Sequence, residues 1–177
     1  WPGNFSIGTP PGGRGMFAGG AAPGQVDTVD YITISKTGNA TDFGNLQSAD
    51  RYGCTGSAST TRGLFCGGGT NNNIEDTIDY FTIASTGNGT DFGNLTAIHR
   101  SAGAVGNQTR CILIGGSNNS DYITDIQFLT IANTGNGTDF GDLAVKLFIA
   151  LTMLIPFRLL IYKIKDFSDN SISRVKN

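Results

Sequence analysis

Three short triplets have the form of a metal-binding motif: Asp42-Phe43-Gly44, Asp91-Phe92-Gly93 and Asp139-Phe140-Gly141. In a protein kinase one such Asp holds Mg2+, working beside a Gly-rich loop, a strand Lys and a catalytic loop. None of these accompanies the triplets here, and three evenly spaced copies read as a structural turn. Gly13-Arg14-Gly15-Met16-Phe17-Ala18 fits the loose dinucleotide pattern, yet no helix or ribose-binding acid follows it in the required context. His99 is the only His. One imidazole is too few for a copper site with paired His and Tyr ligands, and no Ser-His-Asp triad assembles around it; it reads as a surface hydrogen-bonding residue. Cys54, Cys66 and Cys111 are odd in number and lack CxxC spacing, so neither a disulfide framework nor a zinc site is signalled. A Cys54–Cys66 bridge is geometrically open, but small buried thiols are the favoured reading. No catalytic, metal or cofactor residue is assigned, and no cofactor is expected.

The remaining candidates for ligand contact lie in two amide-rich, acidic loops: Asn71, Asn72, Asn73, Glu75 and Asp76 in one, Asn118, Asn119 and Asp121 in the other. They differ from each other inside a constant framework, as the binding loops of a rigid scaffold do. Solvated loops without a ligand are the plain alternative. No EF-hand spacing supports calcium. Asn4, Asn39, Asn88, Asn94, Asn107, Asn118 and Asn136 each open an N-x-S/T triplet; three belong to a repeated turn, so all read as turn chemistry.

What must position these loops is a repeat. Thr37 to Leu46 returns as Thr86 to Leu95 and again as Thr134 to Leu143, at steps of 49 and 48. A second marker, Arg14 to Gly20, returns as Arg62 to Gly68 and Arg110 to Gly116. All 26 Gly lie between Gly3 and Gly141, and such density opposes a helical bundle because each helical Gly costs about 1 kcal/mol. The 11 Phe and 5 Tyr oppose disorder.

Each unit begins with a short apolar strand that ends in a double Gly, such as Gly63 to Cys66. A polar loop follows, then a strand rich in β-branched and aromatic residues: Thr28–Ile34, Thr77–Ile83 and Thr124–Ile131. This strand is apolar on both faces and should be covered on both. The Gly-Asn pairs Gly38-Asn39, Gly87-Asn88 and Gly135-Asn136 predict a tight hairpin. The Asp-Phe-Gly segment returns as a third strand, with its Phe as core anchor. A weaker fourth element, Arg51–Ser59 and Arg100–Val105, predicts an inner strand. The predicted fold is therefore all-β, with repeats over about 12–60, 61–108 and 109–145, after a lead-in at 1–11.

The double Gly after an apolar strand, the Tyr-bearing strand, and the Arg five residues after the repeat's Leu (Arg51 and Arg100) resemble a kelch-type repeat, with Phe43, Phe92 and Phe140 in place of its usual Trp. More closely, the phrase I-D-Y-x-T-I-A-S-T-G-N-x-T-D-F-G-x-L resembles Gly-rich kelch-like repeats of marine tailed-phage virion and tail-fibre proteins. The resemblance implies four-stranded β-propeller blades. Three blades are too few for the usual ring of about four to eight, so an incomplete ring is expected, a fragment or a unit completed by other virion or propeller-completing chains. It further implies a non-enzymatic structural or receptor-binding module of a virion, facing a host-surface glycan or protein. A bacterial surface adhesin and a fragment of a propeller enzyme are the alternatives.

Residues 1–145 carry 6 Lys and Arg against 12 Asp and Glu, whereas 146–177 carry 6 against 2. The acidic array has no basic stripe for nucleic acid. The run 147–162 is interrupted by Arg158 and contains Pro156, short of the roughly 20 apolar residues of a membrane span. It reads as a span, a packed helix or, from its abrupt loss of Gly, the product of a shifted frame. Trp1 in place of an initiator Met suggests a processed chain or a fragment.

Overall fold

The computed structural model describes residues 13–22, 24–48, 51–70 and 73–146. Asn71, Asn72, the 1–11 lead-in and the 147–177 tail, with its proposed span, lie outside the described residues. The fold is all-β, in three antiparallel sheets. Sheet I holds β1 (Arg14–Ala18), β4 (Thr28–Thr33) and β5 (Thr41–Asn45), with a small hairpin of β2 (Ala21–Ala22) and β3 (Gly24–Gln25) in the β1–β4 loop. Sheet II runs β6 (Thr55–Ala58), β7 (Arg62–Cys66), β8 (Thr77–Thr82), β9 (Thr90–Asn94). Sheet III runs β10 (Gly103–Gly106), β11 (Arg110–Ile114), β12 (Asp125–Thr130), β13 (Thr138–Asp142). The three strong strands of each repeat form where the β-branched and aromatic residues predict them.

The weak fourth element behaves differently. Thr55–Ala58 pairs with Arg62–Cys66, and Gly103–Gly106 with Arg110–Ile114. Each therefore opens the following sheet instead of closing its own repeat, and the sheets divide at the linkers after Leu46 and Leu95.

The apolar groups collect between the sheets in two separate cores. Val29, Phe43, Leu46 and Phe81 fill the joint of sheets I and II; Leu64, Cys66, Ile78, Phe92, Leu95, Cys111, Leu113, Leu129 and Ile131 fill that of II and III. Each sheet has a front, carrying Arg14, Arg62 or Arg110, and a back, carrying Ile32, Phe81 or Leu129. The front of one meets the back of the next. The expectation that the aromatic strand is covered on both faces holds for sheet II alone. Among the described residues the sheets close no ring, and the back of I and the front of III stay open.

The Gly-Asn pairs do not make the predicted tight hairpin. The turn falls earlier, where Lys36, Ser85 and Asn133 donate to the carbonyls of Thr33, Thr82 and Thr130. The Gly-Asn segment instead crosses to the preceding sheet. Gly87 and Gly89 donate to the Phe43 and Asn45 carbonyls at 2.7 Å, and Gly135 and Gly137 repeat this on Phe92 and Asn94 at 2.7 Å. The Asn88 and Asn136 amide oxygens accept from the Asn45 and Asn94 backbone at 3.1 and 3.0 Å.

This crossing explains the Asp-Phe-Gly triplet as structure. Asp91 and Asp139 accept from the Gly93 and Gly141 amides beside a bulge present in all three sheets. Phe43 and Phe92 enter the joint, each 2% exposed. Gly93 has φ +138°, and an added Cβ would sit 2.6 Å from the Gly135 carbonyl oxygen of the next sheet. Only Gly permits that approach.

Candidate functional site

The β1–β4, β7–β8 and β11–β12 loops emerge at the end of each sheet opposite its own β4–β5, β8–β9 or β12–β13 turn. A linker arriving from the preceding sheet ties the second and third loops down. Tyr52 bridges Gly69, which bridges Ile74; Arg100 bridges Ser117, which bridges Tyr122. Arg100 joins the two loops directly: its guanidinium donates to the Tyr52 hydroxyl at 2.6 Å and the Thr70 carbonyl at 3.2 Å, and lies 5.2 Å from the Tyr52 ring centroid. Its backbone amide donates to Ser117 in the third loop at 2.9 Å.

Against this frame the candidate residues separate. Glu75 accepts from the Ser48 hydroxyl at 2.6 Å, and Asp76 from the Asn94 amide at 2.9 Å. Asp27 does the same for Asn45 at 3.0 Å, while in sheet III the polarity reverses, with Thr124 donating to Asp142 at 2.8 Å. Both acids of the second loop are thus spent on fastening strands. Asn118 folds its own loop, accepting from the Ser120 and Asp121 amides at 2.8 Å. Asp121 pairs with Lys146, whose hydrogen bond and charge hold its carboxyl below the usual range. Asn73, Asn119 and Asp121 are exposed and Asn118 is half-buried, and Tyr122 beside them is 49% exposed.

Arg100, Tyr52, Thr70 and Tyr122 were not among the residues singled out from sequence. Arg100 was visible only as a framework marker, aligned with Arg51. The structure shifts that alignment by one residue. The Arg51 carbonyl accepts from Gly20 and the His99 carbonyl from Gly68, at 2.9 and 2.7 Å, so His99 is the counterpart of Arg51, and Arg100 that of Tyr52.

These counterparts form a buried polar key at each joint. Arg51 is fully buried, pairs with Asp79, and donates to the Gly67 and Thr77 carbonyls at 2.6 and 3.1 Å. His99 is 1% exposed, which corrects its reading as a surface residue. Thr96 N–H donates to Gln127 Oε1 at 3.0 Å, so the Gln127 amide nitrogen donates to Asp125 at 3.0 Å and lies 3.1 Å from His99 Nε2. His99 Nε2 lies 3.1 Å from the Asp125 carboxylate as well, and its Nδ1 is buried without a closed hydrogen bond.

Burial lowers the His99 pKa below its ordinary 6.5, opposed by the Asp125 charge. The unfolded chain takes up a proton that the folded chain resists. Stability should hold above pH 6.5 and fall as the pH drops through that value. Urea midpoints from pH 8 to 5 should decline for the natural chain, and His99→Gln should flatten the part of that decline nearest neutrality. An unchanged slope in His99→Gln would rule the imidazole out.

The three thiols are free. Cys54 adjoins β6, whose Thr55 pairs with Cys66, but the buried Cys66 instead meets Cys111 of sheet III. Contact with that thiol and burial raise the Cys66 pKa well above the ordinary value. Among the described residues no three His, Cys, Asp or Glu side chains converge on a point that could hold a metal ion. What the loop end presents is a set of polar and aromatic groups on a fixed frame: the Asn73 and Asn119 amides, the Asp121 carboxylate and the Tyr122 ring. Compared with known protein families the chain matches none, and no curated protein matches it.

Proposed function

We infer that the chain is a non-enzymatic recognition module, built of kelch-like propeller blades, in the structural or tail-fibre apparatus of a virion. Its loop end faces a host-surface glycan or protein, and further blades from other chains complete the ring. The observation that carries this reading is the contrast between the crossings and the loops. The Gly-Asn crossings repeat the same hydrogen bonds at both joints, whereas the second and third loops, of different sequence, stand on one Arg100 bracket. Scaffolds with constant frames and divergent loops use the loops for binding, and amide and tyrosine groups suit the hydroxyls and apolar faces of sugars.

A glycan array and host-envelope pull-down with the full chain test it. Asn73→Ala, Asn119→Ala and Asp121→Ala together should weaken binding by roughly tenfold or more, as loss of central contacts does, with thermal stability unchanged. No ligand for the natural chain, together with its absence from purified virions, would overturn the reading.

A further inference from the structure

The two joints inside the chain define what a sheet face accepts, and the two open faces carry the same parts. On the front of sheet III, Phe140 is 56% exposed where Phe43 and Phe92 are each 2%. Arg14 and Arg62 reach across their joints to the carbonyls of Ile83 and Ile131, at 2.6 and 3.2 Å. Arg110 lies over its own Phe128 ring at 4.4 Å, as they lie over Tyr31 and Tyr80, but is exposed and has no carbonyl to reach among the described residues. A Cβ on Gly141 would meet nothing within 4 Å.

The back of sheet I holds the matching half. Ile34, the counterpart of Ile83 and Ile131, is 64% exposed, whereas Ile131 is 1%. Asp30 stands where Asp79 and Gln127 receive the Gln47 and Thr96 amides. The Gly38 and Ala40 amides, counterparts of the crossing amides of sheets II and III, have no acceptor among the described residues.

We propose that a second copy of this chain docks the back of its sheet I on the front of sheet III, head to tail, as a third instance of the internal joint. Arg110 then donates to the Ile34 carbonyl of the second copy. The second copy's Gly38 and Ala40 amides donate to the Phe140 and Asp142 carbonyls, and its Asp30 receives the Ala144 amide. Ala40 is the one departure, since the internal joints have Gly there. At Gly137 a Cβ would sit too close to Gln127 Oε1 of its own sheet and, across the joint, 3.3 and 3.4 Å from Thr96 and Leu95; at Gly89 the three nearest atoms all belong to Phe81 and Asp79 of its own sheet, at 3.0 to 3.3 Å. The added methyl therefore crowds mainly its own sheet and leaves the joint close but open. The inference deepens the reading above by naming the completing chain, and rests on the two internal joints, not on any ligand. Such an interface is heterologous: it gives a closed assembly if the rotation closes and an open chain if it does not.

Sedimentation of the full chain from micromolar to submillimolar concentration should show self-association, as a closed dimer or as a ladder. Ile34→Asp blocks one face and Phe140→Asp the other. Both sites are exposed, so each variant should fold and should associate at least roughly tenfold more weakly, as a charge placed in an apolar contact demands. Mixed in equal amounts, the two variants retain one intact pair of faces and should form a 1:1 heterodimer and nothing larger. A natural chain that stays monomeric overturns the proposal, as do variants that still associate or fail to pair on mixing. Slow amide exchange at both faces of that monomer would give the faces to the chain's own remaining residues. Glycan binding by the monomeric variants reports separately on the loop end.

Discussion

Arg51→Ala should cost the chain about 3–5 kcal/mol of stability, the range for removing one member of a buried ion pair. The loss comes less from the missing attraction than from what stays behind. Asp79 keeps a carboxylate at zero exposure, the Gly67 carbonyl loses the guanidinium that donates to it, and the Thr77 carbonyl is left with the Gly67 amide alone. The remedy is already present one sheet further on, where His99 and Gln127 occupy the equivalent positions without a full charge pair. Arg51→His with Asp79→Gln should therefore retain more stability than Arg51→Ala alone. Chemical denaturation followed by tyrosine fluorescence measures both. A loss under about 1 kcal/mol for Arg51→Ala, the value of an exposed pair, would mean that water reaches this joint.

Phe92→Ala and Phe140→Ala remove the same atoms from the same repeat position, yet they should differ severalfold. Each ring stands edge-on to one neighbour in its own sheet, Tyr80 at 6.1 Å and Phe128 at 6.3 Å. Only Phe92 also has a facing sheet, with Leu129 and Ile131 in the same core. Its truncation should cost about 3–5 kcal/mol, as for buried aromatic residues. Phe140→Ala in dilute solution should cost under about 1 kcal/mol, nearer to a surface change. Raising the protein concentration should enlarge the Phe140 effect as copies dock. Equal losses at high dilution would show that the front of sheet III is covered within the monomer.

Local chemistry made the strong strands legible. Tyr80 and Phe81 between Ile78 and Ile83 declare a strand by their own shapes, and the 48 to 49 residue step declares the repeat. The partner of a strand is not a local property. Thr55-Gly56-Ser57-Ala58 has too weak an alternation to announce a register, and its membership of sheet II follows from the turn that joins it to Arg62. Gly-Asn is ambiguous for a related reason: the positive φ that suits a hairpin also suits a backbone laid against another backbone. At the loop end, Glu75 and Asp76 look like ligands because acids in loops face water by default, while Ser48 and Asn94, which occupy them, lie 27 and 18 residues away. The linker between Leu95 and Arg100 is one residue shorter than that between Leu46 and Tyr52. That single deletion hid the equivalence of His99 with Arg51 and the bracket role of Arg100.

The Gly-Asn crossings place the angle between neighbouring sheets under the control of main-chain atoms. Side chains can loosen such a joint but have little power to redirect it, because the donors and acceptors that set it belong to every residue type. Sequence drift in the β1–β4, β7–β8 and β11–β12 loops is thereby decoupled from frame geometry, and each loop is free to explore new surfaces while its neighbours keep their aim. The architecture separates what must be inherited from what can be tried.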